Sequence, residues 1–186
     1  MAVLNDELIS QWGKKHVKPY HAEHVNPASM DFTLGDTIRV THPIWDGMTK
    51  RKMLQHIEAG TIEGLPLWAE PQVFDVFWLL PGKFVLCHSA ECIKIPVSLT
   101  SLLFSKSSTG RIGLEHLHAG YFDPGFGINE DSQATWELHN VAPWPIKLVA
   151  GKRLMQMVML EMIRPPRLDY SVTGRYNGQV GPTPAR

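Results

Sequence analysis

Apolar residues change period along this chain. Near the start, Leu4, Leu8, Ile9 and Trp12 recur at helical spacing around Asn5, a suitable N-cap, and Gly13 offers a stop. A second helix is predicted over 48–59, ended by Gly60. Elsewhere short strand-like runs dominate. Phe32, Thr33 and Leu34 lead to Gly35, and Ile38 and Val40 alternate over 37–41. The apolar run 73–80 breaks at Pro81-Gly82, and 83–87 reads as the returning strand of a hairpin. Further strands are predicted over 135–138, 146–149 and 153–162. In the last, Met155, Met157, Met159 and Met162 read as core filler. The segment 165–186 has four prolines and little apolar content, so it is expected to lie over the body as an arm.

The pattern therefore predicts a mostly β protein with an N-terminal helix and an extended C-terminal arm. The 186 residues suit one domain spanning 1–186. Fifteen glycines and 14 prolines are spread throughout, as many short strands require. Eighteen basic residues balance 18 acidic ones, which excludes bulk attraction to nucleic acid or to an anionic membrane as the main function. No apolar run approaches 18 residues, and MAVLNDELISQWGKK is too polar for a signal peptide, so a cytoplasmic location is expected. Cys87 and Cys92 do not make a disulfide framework.

Nine histidines raise the question of zinc. His21-Ala22-Glu23 matches H-x-E, but the P-C-x-x-C half of the zinc deaminase pattern is missing. His21 and His24 form HxxH without HExxH. His116 and His118 would share a face of a strand, with no third ligand nearby in sequence, so both are read as surface or hydrogen-bonded side chains and no zinc is expected. Neither a G-x-S-x-G elbow nor a P-loop is present.

Three segments carry candidate chemistry. Lys106-Ser107-Ser108-Thr109-Gly110-Arg111-Ile112-Gly113 packs two cations, three hydroxyls and two glycines into a stretch suited to a polyphosphate. In AGYFDPGF (119–126), Asp123 precedes Pro-Gly in a turn, where its carboxylate can accept from a ribose hydroxyl. It is followed by WELHN (136–140), in which Glu137 points opposite to Trp136 and Leu138; it faces either solvent or a pocket. In a pocket, such a carboxylate serves as acid or base. The tail RYNGQVGPTPAR (175–186) carries hydrogen-bonding groups on a backbone too rich in Gly and Pro to fold alone, and segments like it often order only on closing over a ligand.

Together these segments resemble the dCTP deaminase branch of the dCTP deaminase/trimeric dUTPase superfamily. KSSTGRIG resembles its phosphate loop, AGYFDPGF its A-G-F-I-D-P-G-F turn, and WELHN its T-L-E-L-x-N strand. AGKRLMQM resembles its PGMKIGQL strand, NPASMDFTLG its Q-P-A-S-x-D-x-x-L-G segment, and the tail its K-Y-Q-G-Q-x-G-P-T-P-S-R arm. The likeness runs from about Leu4 to Arg186.

The resemblance implies a distorted β-barrel or jelly-roll-like subunit of the dUTPase type. It also implies a homotrimer with active sites shared between subunits. The implied reaction is metal-independent deamination of dCTP to dUTP and ammonia, with Mg²⁺ carried on the substrate triphosphate. Glu137 falls on the family's general acid/base. Ser107 and Arg111 fall on residues that orient the water and Glu137, with the backbone carbonyl of Ala119 as a further water ligand. Lys106, Ser107, Ser108, Thr109, Gly110 and Arg111 fall in the phosphate loop, and Asp123 on the sugar 3′-hydroxyl. Thr135 and Trp136 flank the base. Gln156, Tyr170, Arg175 and Gln179 match triphosphate and closing-arm contacts.

Three departures stand out against that resemblance. The Asp123–Glu137 spacing is about four residues longer, with Asn129, Glu130 and Asp131 in the extra length beside the base pocket. His118 replaces a common threonine, in a neighbourhood the resemblance links to feedback by dTTP, and Ala150-Gly151 replaces Pro-Gly. Two alternatives stay open: a bifunctional enzyme carrying dCTP on to dUMP and pyrophosphate, which AGYFDPGF and GPTPAR favour, and a non-catalytic nucleotide-binding homologue.

Overall fold

A computed structural model describes residues 2–116 and 119–185, so the expectations on His118 and Arg186 lie outside the described residues. The chain opens with α1 (Asp6–His16), β1 (Val17–Lys18), β2 (Val25–Asn26), β3 (Ser29–Thr33) and β4 (Thr37–Val40). Next come α2 (Lys50–Glu58), β5 (Gln72–Val73), β6 (Val76–Leu79), β7 (Phe84–Ile93) and β8 (Leu99–Ser105). A short α3 (Ser107–Arg111) precedes β9 (Leu114–His116), β10 (Tyr121–Phe122), β11 (Gln133–Asn140), β12 (Ile146–Val149), β13 (Arg153–Glu161) and α4 (Tyr170–Thr173).

Two antiparallel sheets dominate. One runs β5-β4-β7-β11-β9 with β1 also on β7; the other runs β10-β8-β13-β3-β2. Their buried side chains belong to one core cluster, with Val85, Cys87, Trp136 and Leu138 from the first and Met30, Phe32, Leu103 and Met157 from the second. The result is a mostly β, jelly-roll-like sandwich whose sheets do not close into a barrel. Met155, Met157 and Met159 fill its centre, fully buried at period two as their spacing predicts, whereas Met162, expected with them, lies past the end of β13 and is half-buried.

Asn5 caps α1, its Oδ1 accepting from Leu8 N–H at 3.1 Å. Gly13 is not the stop, however. It lies inside the helix against Tyr20, where a Cβ would come within 2.7 Å of the ring, so it serves close packing. Ile9, Trp12 and Gly13 form the buried face, whereas Leu8 is exposed.

The hairpin expected from 73–80 and 83–87 does not form. A turn joins Lys83 N–H to Leu80 C=O at 3.1 Å, but the strands diverge: β6 pairs with β12, and β7 pairs with β4, β11 and β1. β7 is buried along most of its length and needs partners on both edges, which a local hairpin cannot supply. β8 carries no alternating signal, because polar Thr100 and Ser101 are buried along with Leu99 and Leu103. Among the described residues no helix is long and apolar enough to cross a membrane.

Candidate active site

The site is built on the open face of the first sheet. β11 alternates strictly between partly exposed and buried positions, sending Trp136 and Leu138 into the core and Thr135, Glu137 and His139 to the other side. Glu137 pairs with Leu86 of β7, and Leu86 pairs in turn with Arg39 of β4. These three therefore form a row across the sheet. Of the two faces open to Glu137, it takes the pocket: a cavity of about 480 Å³ lies over it.

Leu67, Trp68, Phe84 and Leu86 form the apolar side of this cavity, with Trp68 and Phe84 edge to face at 5.1 Å. Leu67 and Trp68 are delivered by the long excursion between β4 and β5, which is tied back where His42 N–H donates to Leu67 C=O and Ala69 N–H to Val40 C=O. Opposite lie Ala119, Asp123, Phe126 and Tyr170, and the arm adds Gln179, Thr183 and Ala185. The D-P-G-F turn holds α4: Tyr170 N–H donates to Pro124 C=O at 2.8 Å, and Gly125, at φ +95°, leaves room for the α4 N-terminus.

Glu137 is the electrostatic centre. Burial raises its carboxyl from an ordinary 4.5 to about 7. Among the described residues nothing hydrogen-bonds its Oε2, although that atom is buried. His116 Nε2 lies 3.4 Å from the same oxygen, a contact that is an ion pair only when the imidazole is protonated. A carboxyl raised by burial and set beside a cavity is equipped to exchange protons with a bound molecule.

Of the expected site residues, Ala119, Asp123, Thr135, Glu137, Tyr170 and Gln179 converge on this cavity. The phosphate-loop residues do not. Ser107, Ser108, Gly110 and Arg111 are exposed on α3, away from it. Lys106 is bound by buried Asp31, which also accepts from Asn26 Nδ2 at 2.9 Å and Arg153 Nη1 at 3.4 Å. Thr109 is buried, its hydroxyl donating to Leu154 C=O at 3.0 Å, so its role is structural. The Trp136 side chain, expected beside the base, is wholly in the core because neighbours on a strand point to opposite faces. Gln156 and Arg175 do not line the cavity.

Sequence reasoning missed the wall of Leu67, Trp68, Phe84 and Leu86, the Asp31 cluster, and His116 as a neighbour of Glu137. These depend on strand partners far apart in sequence, and β7, buried along most of its length, carries no alternation that marks a face for Phe84 and Leu86. Among the described residues no group of three or more His, Cys, Asp or Glu is placed to hold a metal ion.

Comparison with known proteins shows the family and the fold. A family model described as dCTP deaminase-like matches residues 4–162. The chain belongs to the dCTP deaminase-like family. It is 38% identical over 179 residues to "dCTP deaminase, dUMP-forming" of Thermobifida fusca, covering 94% of this chain and 85% of the relative. Identity to the Aquifex aeolicus protein of the same name is 34% over 180 residues, covering 97% and 89%. The crystal structure of 2′-deoxycytidine 5′-triphosphate deaminase from Agrobacterium tumefaciens shares the fold, with a TM-score of 0.60 at 19% identity. That likeness covers 84% of this chain and 47% of the other.

Proposed function

We propose that this enzyme deaminates dCTP and carries the product on to dUMP and pyrophosphate. The observation that carries the reading is Glu137, a carboxyl raised to about 7 with a buried, unbonded oxygen at a cavity that also holds Asp123, Ala119 and Thr135. Glu137 takes a proton from water as its oxygen adds to cytosine C4, and delivers it to the ring nitrogen. Glu137 then passes the proton of the new C4 hydroxyl to the amino group, so that the C4–N bond breaks, ammonia leaves and the C4 carbonyl forms. The Ala119 carbonyl orients the water, and the apolar side formed by Leu86 and Phe84 excludes bulk solvent.

Of the two products open from sequence, dUMP is supported by relatives at 34–38% identity that carry the dUMP-forming name. In that second step water attacks the α-phosphorus and pyrophosphate leaves, with Asp123 holding the sugar or the water. Mg²⁺ enters with the triphosphate as part of the substrate. A charged nucleotide substrate, which does not cross membranes unaided, supports a cytoplasmic location.

The exposed α3 supports a homotrimer in which Ser107, Ser108 and Arg111 of one copy complete the cavity of another. Incubation with dCTP and Mg²⁺, with anion-exchange separation and an ammonia assay, tests the reading. Equimolar dUMP, pyrophosphate and ammonia are expected. Accumulation of dUTP means a deaminase-only enzyme, and no ammonia sinks the proposal.

A further inference from the structure

β7 and β11 do not run in one register. Thr135, Trp136 and Glu137 face His88, Cys87 and Leu86, but Gln133 faces Cys92. Between these pairs Ser89, Ala90 and Glu91 of β7 stand opposite Ala134 alone, a bulge beside the cavity. Carried on without it, the Gln133–Cys92 register would set Glu137 opposite His88, about 7 Å along β7 from Leu86. The bulge, and not the pattern of either strand, gives Glu137 its apolar neighbour.

Side chains hold this bulge closed. Ser89 is fully buried, and its Oγ accepts from Ala134 N–H at 2.9 Å while donating to Glu91 C=O at 2.6 Å. Gln133 Nε2 donates to Ala90 C=O at 3.2 Å. His88 Nε2 accepts from Thr37 N–H at 3.3 Å, so the ring proton sits on Nδ1, which donates to Ser89 C=O at 2.8 Å. All three bulge carbonyls therefore meet a side-chain donor. On the far edge of β7, Gly35 N–H donates to His88 C=O at 2.8 Å, which fixes the strand from that side. Ala134 is fully buried as well, so no solvent replaces the Ser89 hydroxyl if it is lost.

We propose that Ser89 is a positioning residue, whose hydroxyl closes the bulge and so sets the register that presents Glu137 to the cavity opposite Leu86. Ser89 does not line the cavity and acts through β11. The kinetic consequence rests on the reading of the cavity as the deaminase site; the effect on the Glu137 carboxyl does not.

The test compares wild type with Ser89→Ala, which loses both bonds, and Ser89→Thr, which keeps the hydroxyl. The Glu137 carboxyl is titrated by NMR on isotope-labelled glutamate, its resonance assigned by its loss in Glu137→Gln. Wild type is expected to titrate at about 7. In Ser89→Ala the midpoint is expected to fall by about one pH unit, as the carboxyl moves off Leu86 and gains water, and in Ser89→Thr to hold. His116, 3.4 Å from the carboxyl on β9, is the same in all three, so the difference reports the placement of Glu137. With dCTP, Ser89→Ala is expected to lower kcat about tenfold with KM within about twofold, and Ser89→Thr to restore it. Where Ser89→Ala does not fold, Ser89→Cys, of similar shape but a weak acceptor, takes its place. An unchanged titration in the folded variant overturns the proposal, as does a Ser89→Thr protein that shifts as far as Ser89→Ala. A shifted titration with unchanged kcat overturns the bearing of Ser89 on catalysis. A wild type that releases no ammonia overturns the deaminase reading instead, and the titration alone then decides the role of Ser89.

Discussion

Glu137 faces Leu86 directly across the antiparallel pair of β7 and β11, on the same side of the sheet. An aliphatic neighbour cannot solvate a carboxylate, so the pairing contributes to the burial that holds this carboxyl near 7. Replacing Glu137 with Gln keeps the shape and removes the exchangeable proton. Ammonia release is expected to fall by about 10²–10⁴-fold, while dCTP binding by calorimetry changes little. Near-wild-type turnover would remove Glu137 from the mechanism.

The raised carboxyl also makes stability depend on pH. Between its ordinary 4.5 and about 7, the folded chain holds a proton that the unfolded chain has released. Stability from this group is therefore fully present below 4.5 and is lost as pH rises towards 7, by on the order of 3 kcal/mol. Wild type and Glu137→Gln are expected to converge in Tm at low pH and to separate as pH rises, with the variant the more stable. In wild type, kcat/KM should climb with an apparent pKa near 7, as a base must lose its proton to act.

Asp31 is buried with Lys106 and Arg153 as its cationic partners. Asp31→Ala leaves the Lys106 ammonium without that partner at the N-terminus of α3. A loss of about 3 kcal/mol is expected in urea denaturation, with weaker nucleotide binding because α3 is no longer held. A change within 0.5 kcal/mol would show that the cluster is solvated rather than structural.

Gly125 occupies φ +95°, and a Cβ there would lie 2.6 Å from Asp169 Oδ1 and 2.9 Å from Ser171 N. Gly125→Ala is expected to cost about 2 kcal/mol in backbone strain alone and to displace α4, hence Tyr170, from the cavity. Urea denaturation gives the first quantity, and the KM for dCTP reports the second.

The proposed trimer with sites shared between copies predicts complementation. Glu137→Gln and Arg111→Ala proteins, each inactive alone, should on unfolding and refolding together recover about a quarter of the wild-type sites, the random share in a trimer whose sites draw on two copies. No recovery would confine each site to one chain.

Local periodicity was legible because it follows from covalent geometry. The alternation of β11 separated Glu137 from Trp136, and the methionine spacing of β13 marked the core. Asn5 as a cap and the D-P-G-F turn are equally local devices. By itself, then, the chain determined which residues of β11 and β13 share a face and singled out Glu137 as a candidate carboxylate, with solvent or a pocket left open to it. Tertiary structure decided which strands adjoin. It sent β6 to β12 rather than β7, set Leu86 opposite Glu137, brought His116 to the same carboxyl, drew Lys106 to Asp31 and tied Ala134 to Ser89. The reason is that strand partners are chosen by burial and hydrogen-bond satisfaction over the whole molecule, and no short stretch of sequence carries that sum.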